Sequence, residues 1–149
     1  MKLEGTYRIA APLNVVWAKL MDPEVLRRSM PGCEQLEAIG ENRYRAVIKA
    51  GVGPVKGLFN GEVALSDVVP ERSYTLTTST KSKVGFAEGT GHIEVEPAGA
   101  ETMVRFSGEV KIGGMLASVG GRLAETAAQK NIRETFANLA RECGAVATA

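Results

Sequence analysis

Apolar and polar residues alternate at the start of the chain. Leu3, Gly5, Tyr7 and Ile9 share one parity, and Lys2, Glu4, Thr6 and Arg8 the other. A period of two sends successive side chains to opposite faces, so this segment predicts a half-buried strand. The period then changes. In "APLNVVWAKLMDPEVLRRSMPG", Leu13, Val16, Trp17 and Leu20 fall three and four apart, which is the spacing of one buried helix face. Pro12 suits the entry of that helix, where no backbone N–H is needed. Asp22, Pro23 and Glu24 then supply a cap, a first-turn proline and a first-turn acid for a second short helix, which Pro31-Gly32 ends.

Alternation returns from Cys33 and holds to Ile112. The inward sets are Tyr44, Ala46 and Ile48; Phe59, Val63 and Leu65; Tyr74 and Leu76; Ile93 and Val95; and Thr102, Val104, Phe106, Val110 and Ile112. Turn residues separate them at Glu41-Asn42, Gly53-Pro54, Pro70-Glu71 and Pro97-Ala98-Gly99. Strands with one apolar and one polar face, joined by short turns, predict an antiparallel sheet covered on one side. In "GFAEGTGHIEV" the glycines hide the register, so the facing of Phe86 and Glu88 stays open.

The last segment, from Gly113 to about Glu142, is rich in alanine and lacks proline, which predicts a long helix. Its apolar stripe is not constant. Leu116, Val119, Leu123 and Ala127 share one face, and Ile132, Phe136 and Leu139 lie about half a turn round. Either Gly120-Gly121 bends the helix or its halves bury different sides. The predicted architecture is α+β: one strand, two short helices, about six more strands and a long helix covering the sheet's apolar face. A curved sheet around a helix leaves room for a gap between them, which the short helices would close at one end.

Composition adds limits rather than chemistry. The 149 residues carry 18 Lys and Arg against 17 Asp and Glu, with 44% hydrophobic residues, and form no evident repeat or linker. One domain spanning residues 1–149 is expected. A net charge of +1 without a basic run offers no footprint for nucleic acid. No window is apolar enough to span a membrane, and the N-terminus lacks the pattern of a signal peptide, so a cytoplasmic location is expected. Cys33 and Cys143 would then be reduced thiols.

The candidate catalytic groups are few. His92 is the one histidine, and it shares parity with Glu94 and Glu96, on the polar face. One histidine and two distant cysteines do not make a zinc set. "GVGPVKG" has glycines and a lysine, but between strands it reads as a hairpin, not a phosphate loop. Lys49, Lys56, Lys81 and Lys83 fall near hairpin tips as solvated charges, and Asp67 at a strand end before Pro70. Cys33 follows Pro31-Gly32 with no nearby histidine. By parity with Leu36 and Ala38 it would face outward, as a turn residue rather than a nucleophile.

The stretches "MPGCE", "VGPVKGLFNGEVALSDVVPERSY", "GFAEGTGHIEV" and "GGMLASVGGRL" are similar, in order and over nearly the whole chain, to the G-subunit family of carbon monoxide dehydrogenase. That family lies within the START-like, polyketide-cyclase-like helix-grip superfamily. The resemblance implies a helix-grip fold of about seven strands around the C-terminal helix, with a hydrophobic cavity between them. It implies an accessory, non-enzymatic role beside a molybdenum hydroxylase, attachment of that enzyme to the membrane, and a quinone or lipid as the cavity's ligand. No cofactor of the chain's own is implied. Longer members carry a C-terminal extension credited with membrane attachment, whereas this sequence stops at "RECGAVATA". Membrane contact, at most peripheral and at the inner face of the cell membrane, is therefore in doubt.

On that fold Trp17, Leu20, Leu26 and Met30 would line one end of the cavity. Phe59, Tyr74, Phe106, Met115, Leu116, Val119 and Leu123 would line the rest, with Phe86 at the mouth. Two other readings stand beside the accessory role. A cyclase- or hydratase-type enzyme needs an acid, tyrosine or histidine aimed into the cavity, and a pure interaction module needs the cavity filled by side chains.

Overall fold

A computed structural model describes residues 1–144 and 147–148. Strand β1 (Lys2–Ile9) leads into helices α1 (Leu13–Leu20) and α2 (Pro23–Ser29). Six antiparallel strands follow: β2 (Cys33–Gly40), β3 (Arg43–Val52), β4 (Val55–Val69), β5 (Ser73–Ser82), β6 (Gly85–Ala98) and β7 (Glu101–Gly113). A 3-10 turn (Gly114–Val119), helix α3 (Gly121–Glu142) and the two-residue β8 (Ala147–Thr148) complete the chain. The sheet order is β2-β3-β4-β5-β6-β7-β1-β8. This is the α+β architecture the sequence pattern predicts and the helix-grip fold the resemblance implies.

Each element follows from local chemistry. Asp22 caps α2, its carboxylate accepting from the Glu24 backbone N–H at 3.0 Å, and Pro23 fills the first turn. Asn42, Gly53, Glu71 and Gly99 take positive φ in the predicted turns, which lets each hairpin reverse within a few residues. Gly61 allows a close approach inside β4. A Cβ built there would lie 1.9 Å from the Ser79 carbonyl oxygen and 2.7 Å from the Thr80 Cα. β4 and β5 therefore come into close backbone contact at this point.

The main core lies between β1, β5, β6 and β7 and the far half of α3. Ile9, Val16, Val25, Val104, Leu139 and Ala140 are fully or almost fully buried there. Tyr7 stacks on Phe136 with ring centroids 4.6 Å apart. Two polar side chains are sealed in and satisfied: the Thr102 hydroxyl donates to the Ala11 carbonyl at 2.8 Å, and the Ser29 hydroxyl to the Val25 carbonyl at 2.7 Å. The Asn138 amide donates to the Ser29 carbonyl, and Arg28 forms an ion pair with Glu142 at 2.8 Å, fastening α2 to the end of α3. The ion pair is half-exposed and contributes modestly; packing does most of the fastening.

Three expectations change. Cys33 faces inward, clustered with Leu36 and Ala46, while Ala38 is exposed. A bulge between Cys33 and Gln35 shifts the register, so simple alternation fails there. The terminal helix is not continuous: Gly120, at φ 99°, separates the 3-10 turn from α3. Within α3 the buried stripe runs through Ala124, Phe136, Leu139 and Ala140, and Leu123 is 58% exposed. The apparent change of face came from counting Leu123 as a core position when the neighbouring alanine holds it.

Two outcomes are expected. Gly61→Ala forces backbone apart at the β4–β5 contact and should lower stability by about 1–3 kcal/mol in urea unfolding; an unchanged midpoint would refute the close approach. Burial raises the titration of the Cys33 and Cys143 thiols and of the Tyr7 and Tyr74 hydroxyls. Their folded forms hold protons more tightly, so stability is full at neutral pH and falls as pH climbs above about 8.5, where the unfolded thiols ionise first. Thermal melts between neutral and alkaline pH check the sign, which a rise in stability would contradict.

Candidate ligand cavity

The concave face of the sheet and the inner face of α3 enclose a two-lobed cavity. The larger lobe, of about 320 Å³, lies under α1, α2 and the far half of α3. The smaller, of about 250 Å³, lies under the 3-10 turn and the near half of α3. Ile48, Val63, Thr78 and Asn131 line both, so the lobes adjoin along one channel. The smaller lobe has a simple cause. Where the far half of α3 sends Phe136 and Leu139 to the sheet, the near half sends Ala124, Ala127 and Ala128. Methyl groups fill less of the space beneath a helix than larger side chains do.

No Lys, Arg, His, Asp or Glu side chain lines either lobe. The polar side chains present are neutral. The Thr80 hydroxyl donates to the Ala87 carbonyl at 3.0 Å, and the Thr135 hydroxyl to the Asn131 carbonyl at 2.8 Å. Tyr74 is 3% exposed and lines the larger lobe, with Trp17 edge-on behind it at 5.8 Å. Burial pushes its hydroxyl far above the usual phenol range, so it stays protonated.

The expected lining residues divide clearly. Leu20, Leu26, Met30, Tyr74 and Phe106 line the larger lobe, and Phe59 and Leu116 the smaller. Trp17 packs into the core beside the cavity and Val119 against the cluster around Leu116. Phe86, Met115 and Leu123 do not line it. β6 pairs without a break from Gly85 onward, so Phe86 falls on the outer face opposite Ile93, its ring over Gly113. Met115 is 59% exposed because the 3-10 turn directs Leu116 inward instead. Residues absent from the expected lining include Thr78, Asn131 and the three alanines. Thr78 shares the parity of Tyr74 and Leu76, and that is the signal that could have found it.

The remaining ionisable candidates stand outside. His92 projects from the outer face, its Nε2 3.3 Å from Glu94 and its Nδ1 3.3 Å from the Thr75 hydroxyl. Glu88 is exposed, and Asp67 is exposed at a positive φ of 51° where β4 bulges. Depressions of about 370 to 560 Å³ near His92 and Glu88 lie on the polar face. Burial raises the Cys33 thiol, against the opposing pull of Arg27, so it is a poor nucleophile. Among the described residues no three His, Cys, Asp or Glu side chains gather to hold a metal, and no helix is long and apolar enough to cross a membrane.

Solved structures share this fold. A conserved protein from Geobacillus kaustophilus is 28% identical and superposes with a TM-score of 0.89, covering 99% of this chain and all of the other. A START superfamily protein from Mycobacterium smegmatis reaches 0.73 at 12% identity, with 96% and 97% of the chains covered. The Zhui aromatase/cyclase from a Streptomyces species reaches 0.70 at 14%, covering 97% and 93%. The last two likenesses carry the fold alone. No curated protein matches the chain. The family profile for CoxG, the G-subunit of carbon monoxide dehydrogenase, matches residues 5–144, a span that takes in every stretch carrying the resemblance, and the chain belongs to that family.

Proposed function

We propose that the chain is a non-enzymatic accessory protein of a carbon monoxide dehydrogenase-type molybdenum hydroxylase. It holds a hydrophobic molecule, a quinone or lipid, between the sheet and α3, and helps couple the enzyme to the membrane or to its electron acceptor. The observation that carries the reading is a two-lobed cavity lined almost wholly by apolar side chains. Family membership supports the hydroxylase as partner. The energetics are adequate. Burying about 300 Å² of ligand at about 25 cal/mol per Å² gives about 7 kcal/mol before the costs of association, enough for modest affinity without a charged anchor.

The cyclase-type alternative draws on the aromatase/cyclase among the fold neighbours. It requires a proton-transfer group inside the cavity. His92, Glu88 and Asp67 all lie outside it, and Tyr74 is the most deeply buried ionisable side chain facing the larger lobe. A tyrosine held protonated is a poor general base at neutral pH.

Ala128→Phe should fill the smaller lobe and weaken uptake of an added naphthoquinone at least about tenfold, with little change in melting temperature. Native mass spectrometry and tryptophan quenching read the uptake, and thermal melts the stability. A wild-type chain that takes up no quinone or lipid would overturn the cavity reading, and failure to retain the hydroxylase in a pull-down would overturn the partner.

A further inference from the structure

The apolar lining admits many hydrophobic molecules, and one buried hydroxyl distinguishes among them. Tyr74, only 3% exposed, lines the larger lobe. Among the described residues its hydroxyl makes no side-chain hydrogen bond to protein, yet no buried side-chain oxygen is sealed away without a partner. These facts agree if the hydroxyl borders the empty space. Its proton is then available to whatever occupies that space.

Resting on the cavity reading, we infer that the ligand is a neutral molecule with a carbonyl oxygen, which accepts a hydrogen bond from the Tyr74 hydroxyl while its hydrocarbon part runs toward the alanine-lined lobe. A plain hydrocarbon would leave the buried hydroxyl unpaired, a cost that selects against it. A carboxylate would be desolvated against a lining with no cationic side chain, which costs more. The terminal ammonium of Met1, beside the smaller lobe, is bound to the Val110 carbonyl at 3.0 Å. The raised titration of Tyr74 keeps it a donor across the physiological range. Tyr44 also lines the larger lobe but is half-exposed, so water can satisfy its hydroxyl. A ring carbonyl at Tyr74 would send a prenyl chain past Thr78 and Asn131, which line both lobes. A ketone or ester on a long chain has the same chemistry.

Three probes separate these classes: a prenylated naphthoquinone, pyrene and palmitate, each titrated against wild type, Tyr74→Phe and Tyr44→Phe. Tyr74→Phe keeps the ring against Trp17 and removes only the donor. It should weaken the naphthoquinone about three- to tenfold, and pyrene and Tyr44→Phe should show less than about a twofold change. The carbonyl infrared band of bound naphthoquinone should lie lower in wild type than in Tyr74→Phe. Unchanged affinity with an unshifted band would overturn the donor assignment while leaving the cavity reading standing, as would palmitate binding more tightly than the quinone. Should none of the probes bind, the cavity reading itself fails. Where Tyr74→Phe does not fold, the band in wild type, compared with the quinone in hexane, decides the matter alone.

Discussion

The structure depends on one mismatch of size: a broad, curved apolar sheet face covered by a single helix. α3 has 22 residues and so extends about 33 Å at 1.5 Å per residue. Its two halves lie over opposite ends of the same strands, β3 to β7, so it runs along them. Across the strands its cover fails, because seven strands at about 4.8 Å spacing span roughly 30 Å, against the roughly 10 Å breadth of a helix. The sheet must therefore curl around α3, and Gly61 supplies one point where β4 and β5 can close up. What curling does not cover falls to α1, α2 and the 3-10 turn.

Two halves of α3 resolve this mismatch in opposite ways. Phe136 and Leu139 reach the strands and, with Tyr7 and Val104, build the main core. Ala124, Ala127 and Ala128 hold the helix over the sheet without filling the distance. The near half thus leaves the smaller lobe beneath its alanines, and the larger lobe opens beside Phe136 and Leu139, under α2. An interior that keeps space open sacrifices dispersion contacts along its walls. A bound apolar molecule restores them, and this links the alanine stripe directly to ligand binding.

Strict alternation made most of this legible. Ile9, Val104, Tyr74 and Ile93 are buried where their parity puts them. Reading failed where the backbone departs from that rule. The bulge at Cys33–Gln35 turns a cysteine inward against its parity, and neither residue signals a bulge. At Phe86 the surrounding glycines gave no side chains from which to set a register. Leu123 misled for a different reason: size was taken as the mark of a core position, in a helix whose near half buries alanines. The cavity lining was the least legible part. Its edges are set by small and neutral polar residues such as Ala128, Thr78 and Asn131, and on a one-dimensional pattern these read as interruptions of a core.

The same distribution of residues decides what kind of selectivity the site can have. Charged groups would discriminate strongly, because an unpaired charge in an apolar interior is costly. Here every Arg, Lys, Asp, Glu and His side chain among the described residues lies outside the two lobes. Shape contributes weakly, since a methylene group more or less changes affinity only modestly in such surroundings. Strong discrimination must then come from a buried polar group that is satisfied by one class of molecule and stranded by another. Tyr74 is the most deeply buried polar side chain bordering the larger lobe, and Trp17 fixes its ring from behind. A cavity built chiefly of interchangeable apolar atoms thus concentrates its chemistry in one hydroxyl.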